Sequence, residues 1–399
     1  MKVLMLTSSY PIEGSPLGPF VRNVVRGLTW QGVEVGVLIY STKRKFSSYS
    51  MDGATIYEYP YALFTSPSLH THRGLIPSVK NSWLARLQVP GYLASTSYHL
   101  LRIVKGYDII HAHWYLPSGF FACLLKPLHR KPVVTTAWGA EFHLPNNLLI
   151  RRMLSFVHNR SDAVVAVSKY MKDKAHEYGL NTQQMTVIPN CIDISHFSLP
   201  RKKSGKIIIG TARRLVPEKR VSDLLEAYAK LKSGGTELWI LGDGPQRSRL
   251  ERISKELGIT QTTRFMGMVP PDDVPSYLSQ IDIFVNPSVQ EGMATANIEA
   301  MAAGCVVVAT NGYGNDEVMT HGVDGLLYEG KNPAMLASLL STLAADARKR
   351  MKISEKARKE STRFSFGHTA RAYLLLYKAN TALIERTLKK YFFLLRLRD

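Results

Sequence analysis

Short apolar runs rich in valine and isoleucine alternate with amphipathic helical stretches along nearly the whole chain, and the alternation starts twice. This rhythm constrains the fold more than any single residue does. Strands that follow one another through helices lie parallel, and such strands are covered on both faces. The first series opens with KVLMLTSS, passes through the amphipathic FVRNVVRGLTWQG to VEVGVLIY, and continues through YDIIHAHW, PVVTTAW and DAVVAVS to MTVIPN. Residues 191–205, CIDISHFSLPRKKSG, are polar, mixed and contain proline, and read as a connection. The second series runs from KIIIGTA through ELWILGDG, RFMGMV, IDIFVNPS and CVVVAT to GLLYEG. The expected fold is α/β: two Rossmann-like, doubly wound parallel-sheet domains facing a central cleft, with ligands outside the carboxyl ends of the strands. The expected boundaries are 1–190 for the first domain, 191–205 for the linker, and 206–370 for the second domain. A helical segment, 371–399, is expected to pack back on the first domain. Residues 42–105 read as a long, less regular connection, with Pro90 interrupting the apolar–basic stretch WLARLQVPGYLAS.

Composition narrows the classes. At 399 residues the chain exceeds one ordinary core. Cys123, Cys191 and Cys305 lie far apart, which argues against a disulfide framework or a cysteine zinc site and suits a reducing compartment. The opening MKVLMLTSSYP meets turn residues too soon for a signal peptide and reads as a first strand. No apolar run reaches the roughly 18 residues that span a bilayer. The formal net charge is +20, and both halves share it: residues 1–190 carry 20 Lys and Arg against 9 Asp and Glu, the rest 31 against 22. Such a charge attracts phospholipid surfaces, nucleic acid or phosphorylated substrates, and it also serves solubility alone.

The stretch PSVQEGMATANIEAMAAGCVVVAT, residues 287–310, carries the sharpest chemistry. Glu291 lies in a glycine-containing loop after an apolar strand, and Glu299 lies about two turns into the helix that follows. A strand–loop–helix junction offers backbone N–H groups at a helix start, which suit a phosphate. A carboxylate there repels phosphate and suits sugar hydroxyls. The expected ligand is therefore both phosphorylated and polyhydroxylated.

Five segments in order, GPFVRNVVRGLTWQGVEVGVL, VIPNCIDISHF, RRLVPEKR, LWILGDGPQRSRLE and the Glu291–Glu299 stretch, resemble the GT-B glycosyltransferases of family 4, the retaining nucleotide-sugar enzymes. The resemblance covers nearly the whole chain. It implies that Arg214 and Lys219 grip the diphosphate and stabilise charge on the leaving oxygen. Arg213 is the adjacent alternative; the pattern Arg-Leu-Val-Pro-Glu-Lys favours Arg214. Read alone, the pair is two solvated loop cations. The resemblance makes Glu291 the donor-sugar carboxylate and Glu299 the ribose carboxylate, with Gly292, Met293, Ala294 and Thr295 lending backbone N–H groups. Family members more often have Phe-Gly-Leu-Pro where this chain has Met293-Ala294-Thr295-Ala296. Met268 and Val269 match the place where backbone meets the base, and Gly242 and Gly244 let the chain pass near the nucleotide. Gly18 matches the glycine of the first loop; it also reads as a plain turn glycine before a helix.

On the acceptor or sugar side, TTAWGAEFH matches a loop where many relatives carry His-Gly-x-Asp. Trp138 stands for the His and Glu141 for the Asp, with His143 as a substitute hydrogen-bonding group; a Trp packed at the wall of the site is the competing reading. His111 and His113 share one side of a strand end. Further metal ligands are not evident near them, which leaves structural or acceptor-side roles. Cys191 stands where relatives usually have glycine.

The chain lacks Asp-x-Asp, so no metal and no cofactor are expected, with Arg214 and Lys219 neutralising the diphosphate. The resemblance implies a retaining transferase moving sugar from a UDP- or GDP-sugar to a glycan or lipid-linked acceptor, in polysaccharide, lipopolysaccharide or glycolipid synthesis. WLARLQVPGYLAS and the C-terminal TLKKYFFLLRLRD suit a peripheral place on an anionic, cytoplasmic membrane face. An epimerase or phosphorylase on the same architecture is the alternative. An NAD-dependent oxidoreductase lacks its Gly-x-Gly-x-x-Gly after the first strand. No nucleic-acid partner is expected, because the basic residues are dispersed and no recognised module occurs.

Overall fold

The structure, a computed structural model, describes residues 1–12, 18–41, 43–62, 69, 78–79, 82–144, 147–201, 205–231 and 235–396. The chain divides into two compact units: Met1–Cys191 with Phe366–Asp399, and Ile192–Ser365. The linker residues from Ile192 onward therefore fold with the second unit, and the chain rejoins the first unit at Phe366, five residues before the expected start of the last segment.

The first unit holds an eight-stranded sheet of β1 (Lys2–Leu6), β2 (Glu34–Ser41), β3 (Ser47–Met51), β4 (Ala54–Pro60), β5 (Ile109–His113), β6 (Val133–Ala137), β7 (Ala163–Ala166) and β8 (Met185–Val187). Their spatial order is β3-β4-β2-β1-β5-β6-β7-β8, and only β3 runs antiparallel to its neighbour. The strands β5 and β6 are buried along their whole length, as parallel central strands must be.

The described parts of residues 42–105 are more regular than their composition suggests. Asp52 (φ 53°) and Gly53 (φ 75°) are both left-handed and close a tight hairpin between β3 and β4. A 21-residue helix, Trp83–Ile103, then runs straight through Pro90. Its Ser82 N-cap accepts from the Ala85 N–H at 3.3 Å. Pro90 lies on the exposed side, where water can serve the carbonyl that loses its helical partner.

The closing helix, Phe366–Arg396, packs on Pro19–Trp30. Arg26 lies over the Phe366 ring at 5.1 Å, and Tyr377 bonds His111 Nδ1 at 2.7 Å. The side chains of residues 382–399, which include the basic–aromatic stretch, lie outside the described residues.

The second unit holds a six-stranded, all-parallel sheet of β9 (Ile207–Ala212), β10 (Thr236–Leu241), β11 (Thr263–Gly267), β12 (Ile283–Asn286), β13 (Val306–Thr310) and β14 (Leu326–Tyr328). Its order is β11-β10-β9-β12-β13-β14. Ile209, Leu224, Leu238, Val285, Val308 and Leu340 join one apolar core between sheet and helices. The strand order reverses direction between β9 and β12. Connections leaving those two strands depart to opposite sides and leave a crevice at their carboxyl ends.

Candidate active site

In the second unit, the loops after β9 and β12 flank that switch point. They are stitched together by backbone: the Val289 N–H donates to the Glu218 carbonyl at 3.2 Å. A short turn, Pro217–Lys219, carries Lys219 across. Its Nζ lies 2.8 Å from Glu291 Oε1 and donates to the Gln290 carbonyl at 3.1 Å. Arg213 approaches the same carboxylate oxygen, with Nη1 at 3.6 Å. Its guanidinium donates from Nε to Thr211 Oγ1 at 2.8 Å and from Nη1 to Asn286 Oδ1 at 2.7 Å. The Arg213 side chain is 4% exposed, and burial lowers its pKa while Glu291 opposes the shift. Arg214, by contrast, is exposed and makes no side-chain hydrogen bond or ion pair among the described residues.

The structure thus brings Lys219 and Glu291 together and sets Arg213, the alternative set aside in favour of Arg214, on the carboxylate. The two arginines divide the work physically. One is fixed inside the protein; the other presents its guanidinium outward.

The helix Thr295–Ala302 begins with no side-chain cap and no acid in its first turn. Met293 and Ala294 are buried beside it, whereas Gly292 and Thr295 are half-buried. The Glu299 carboxyl has no hydrogen-bond or ion-pair partner among the described residues, and burial pushes its pKa up to about 7. A half-buried carboxyl without a partner is costly unless a ligand donates to it.

Gly242 and Gly244 have a nearer reason than a nucleotide. A Cβ at Gly242 would stand 1.9 Å from the Arg213 carbonyl oxygen, and one at Gly244 2.4 Å from that of Leu215. These glycines let the turn after β10 slide under the Arg213–Leu215 backbone, which it grips through Leu215 N–H to Asp243 O at 2.9 Å. Met268 is 77% exposed and Val269 half-buried beyond the end of β11.

The first unit has its own switch point, between β1 and β5, and fills it differently. Gly18 (φ 80°) starts the Pro19–Trp30 helix, and a Cβ there would meet the Ser9 carbonyl at 2.4 Å. Phe20, Trp114 and Trp138 cluster at the strand ends, with Phe20 and Trp138 ring centroids 4.5 Å apart. Trp138 is 8% exposed and donates from Nε1 to His113 Nδ1 at 3.2 Å.

The resemblance puts Glu141 on the sugar or acceptor side, and the place of His113 at a strand end leaves it a structural or acceptor-side role. The structure buries both. His113 Nε2 turns to Met5 Sδ at 3.1 Å, and burial lowers its pKa to about 3. Glu141 accepts from the Gly139 N–H at 2.8 Å and the Tyr115 N–H at 3.3 Å, so it clamps the loops after β5 and β6. Burial raises its pKa, and the backbone donors pull the other way. Both residues position Trp138 and its loop from below. His111 is consumed by Thr136 Oγ1 and Tyr377, at 2.7 Å each. Cys191 is buried, its thiol pushed up to about 12, with a carbonyl that accepts from Asn23 at 3.0 Å. The side chain of His143 lies outside the described residues. Among the described residues no three His, Cys, Asp or Glu converge as metal ligands.

Comparisons with known proteins place the chain in a family. The family described as Glycosyltransferase Family 4 matches residues 17–196, and Glycosyl transferases group 1 matches 194–360. The chain belongs to the GT-B glycosyltransferases of family 4. A D-inositol 3-phosphate glycosyltransferase of Corynebacterium urealyticum is 27% identical over 332 residues, 74% of this chain and 78% of its own. An uncharacterized glycosyltransferase of Methanocaldococcus jannaschii is 27% identical over 368 residues, 92% and 95% of the two chains. The fold matches sucrose-phosphate synthase of Thermosynechococcus elongatus with a TM-score of 0.78 at 18% identity, covering 96% of this chain and 99% of that one. It also matches Anabaena HepE, solved with UDP and glucose, with a TM-score of 0.74 at 18% identity over 95% and 100% of the chains.

In this glycosyltransferase, sequence reasoning missed Asn286 and Asn297. Both are fully buried, and Asn286 is the residue that holds Arg213. A signal was present: each is a lone amide among mostly apolar neighbours, in IFVN and, beside Glu299, in ANIEAMA. A buried amide needs partners, so such a residue points to a polar network.

Proposed function

We propose that this glycosyltransferase moves a sugar from a UDP- or GDP-sugar to a glycan or lipid-linked acceptor, with retention of anomeric configuration and without a metal. One observation carries the reading: at the switch point of the second sheet, Glu291 is held by Lys219 at 2.8 Å while Arg214, beside Arg213, has no side-chain partner among the described residues. Lys219 spends two of its three N–H donors on Glu291 and Gln290, which leaves one for a phosphate oxygen. Arg214 keeps its whole fork for the same diphosphate. Glu291 then accepts from donor-sugar hydroxyls, and Glu299 from the ribose.

The reaction balances with these groups alone. The acceptor oxygen bonds to the anomeric carbon as the bond from that carbon to the diphosphate oxygen breaks. The departing oxygen takes the acceptor's proton. Arg214 and Lys219 stabilise the charge that builds on it, which is greatest in the transition state.

A peripheral place on an anionic membrane completes the reading. The outward stripe of helix Trp83–Ile103 exposes Trp83 (72%), Leu87 (67%) and Tyr98 (60%), interleaved with Arg86 and Arg102, and exposed Lys105 follows in the next turn. Asp108 is the only acid between residues 59 and 140. Exposed apolar side chains interleaved with cations suit an anionic lipid surface. No helix of the described residues is long and apolar enough to cross a membrane.

The test is a panel of sugar nucleotides read by thermal stabilisation, followed by turnover with and without acceptor. A UDP- or GDP-sugar that stabilises the protein and is consumed only with acceptor supports transfer. Consumption without acceptor supports an epimerase or a phosphorylase-type reaction. Equal recovery with anionic and neutral vesicles in flotation would count against the membrane part.

A further inference from the structure

Three amides fully enclosed in the second unit form a continuous chain at the carboxyl edge of its sheet. Asn286 ends β12, Asn297 lies in the helix Thr295–Ala302, and Asn315 lies in the loop after β13. All three are 0% exposed. Arg213 Nη1 donates to Asn286 Oδ1 at 2.7 Å. Asn286 Nδ2 donates to Asn297 Oδ1 at 2.9 Å, and Asn297 Nδ2 to Asn315 Oδ1 at 2.9 Å. Asn315 Nδ2 closes the chain on the Thr310 carbonyl at 2.9 Å and on Thr310 Oγ1 at 3.0 Å.

Both ends of this chain are chemically fixed. A guanidinium can only donate, and a backbone carbonyl can only accept. Flipping any one amide would set N–H against N–H on one side and oxygen against oxygen on the other. Every amide therefore has one orientation, and all three oxygens face the Arg213 end. The dipoles add head to tail, with their negative ends toward the buried guanidinium. That arrangement replaces the water Arg213 lost. The backbone also pins the chain: the Ser288 N–H donates to Asn286 Oδ1 at 3.1 Å, and the Asn315 carbonyl accepts from Val318 and Met319 at 3.1 Å each.

We propose that Asn286, Asn297 and Asn315 are a positioning relay that holds Arg213 as a fixed internal cation and, through it, sets the Glu291 carboxylate for the donor sugar. The inference rests on the donor-binding reading of this site. Arg213 is then a positioning residue, 3.6 Å from Glu291, while Arg214 and Lys219 meet the phosphates. The relay also ties the loop after β13 to the loop after β9, though neither Asn297 nor Asn315 touches Arg213.

A double-mutant cycle on the full chain tests it, with kcat/KM for the sugar nucleotide as readout. Asn315→Ala is expected to lower kcat/KM about tenfold, and Arg213→Gln about a hundredfold. The double variant should match Arg213→Gln alone, because a relay with nothing left to hold does no further work. Multiplying losses, or wild-type kcat/KM in a folded Asn315→Ala, would overturn the relay. If Asn315→Ala does not fold, the isosteric Asn315→Asp takes its place in the cycle.

A second readout needs no turnover, so it separates this proposal from the donor reading. In the free wild-type protein, the Arg213 guanidinium N–H groups should give slowly exchanging nitrogen–proton NMR signals, assigned by their loss in Arg213→Lys. Asn315→Ala or Asn315→Asp should broaden them. Unchanged signals overturn the relay even if sugar transfer proceeds; absent turnover with the expected broadening overturns the donor reading alone.

Discussion

The carboxyl edge of the second sheet and that of the first have the same plan, a central strand beside a reversal of strand order, yet opposite chemistry. At β9 and β12 the protein collects Arg213, Lys219 and Glu291, beside an exposed Arg214 that has no side-chain partner among the described residues. At β1 and β5 it collects Phe20, Trp114 and Trp138 over histidines whose ring nitrogens are already bonded. The topology supplies a crevice in each case and does not decide what the crevice does. A charged, half-open edge suits a diphosphate sugar; an aromatic, satisfied edge suits a neutral partner held by shape.

The sharpest way to break this contrast is to remove charge from the second edge. Lys219→Ala is expected to lower kcat/KM for the donor by about 10²–10³, the usual loss when one donor to a developing anion goes. The fold should survive, since Lys219 is partly exposed and supports no core. Steady-state kinetics beside a thermal melt would measure both. Near-normal turnover in the variant would remove the reason for assigning chemistry to this edge.

Glycine substitutions probe the backbone beneath the two units. Gly242→Ala would drive a methyl into the Arg213 carbonyl at 1.9 Å, at φ 127°. We expect about 3 kcal/mol of lost stability, from strain that the surrounding strands cannot relieve. Gly32 in the first unit has φ 77° but open space around its Cβ. Gly32→Ala should lose only about 1 kcal/mol, the conformational part alone. Denaturant titrations of the two variants give the difference; equal losses would mean that close approach contributes nothing at Gly242.

Much of this was legible in the sequence, and the failures have physical causes. The strand–helix rhythm gave both sheets, because parallel strands leave unbroken apolar runs such as VVVAT and VVTTA. The hairpin at Asp52-Gly53 went unread although Asp-Gly is a strong turn signal, because Ser47–Met51 is polar and has no apolar alternation to flag a strand. The helix through Pro90 was unreadable locally, since proline ends helices unless its lost bond faces water. Lys219 and Glu291 could be singled out because each lies in its own short local motif, RRLVPEKR and PSVQEGMATANIEAMAAG, and folding brings the two within 2.8 Å. Arg213 and Arg214 look alike in sequence, and only folding shows that Arg213 turns inward while Arg214 faces outward. The Asn286–Asn297–Asn315 chain joins residues far apart in sequence, and no periodicity encodes it.

Proton linkage sharpens the contrast at smaller amplitude. In the first unit, burial lowers the pKa of His111 and brings that of His113 to about 3, and it lowers His99, His129 and His158 as well. A neutral buried imidazole stabilises the fold above its unfolded pKa near 6.5. That contribution is lost as pH falls below this value, at about 1.4 kcal/mol per pH unit for each fully shifted group. Glu141 in the same unit pulls the other way, against five histidines. In the second unit Glu299, pushed up to about 7, has the reverse sign: its proton favours the fold at low pH, and the advantage falls as pH rises from about 4.3 toward 7. The first unit should therefore unfold first near pH 5, by hydrogen exchange or limited proteolysis. On the proposed reading, in which an ionised Glu299 accepts from the ribose hydroxyls, donor affinity should fall below pH 7 by up to about tenfold per unit. Glu299→Gln should flatten that dependence; an unchanged profile would place Glu299 outside the ligand's reach.

The smallest effect tests the aromatic edge itself. Trp138→Phe keeps a ring against Phe20 and removes the Nε1 donor to His113 Nδ1. His113 then has a buried acceptor with no partner, beside an Nε2 already committed to Met5. The expected loss is about 1–2 kcal/mol of stability, because the deserted nitrogen bears a desolvation penalty rather than just a missing bond. Thermal melts would show it as a lower midpoint, while the donor KM should stay within about twofold, since Trp138 lies in a different unit from Arg214 and Lys219, the cations proposed to meet the diphosphate. A donor KM that rises with an unchanged melting midpoint would reverse the assignment. Trp138 would then be a ligand contact, and the first edge would share the donor chemistry that the contrast reserves for the second.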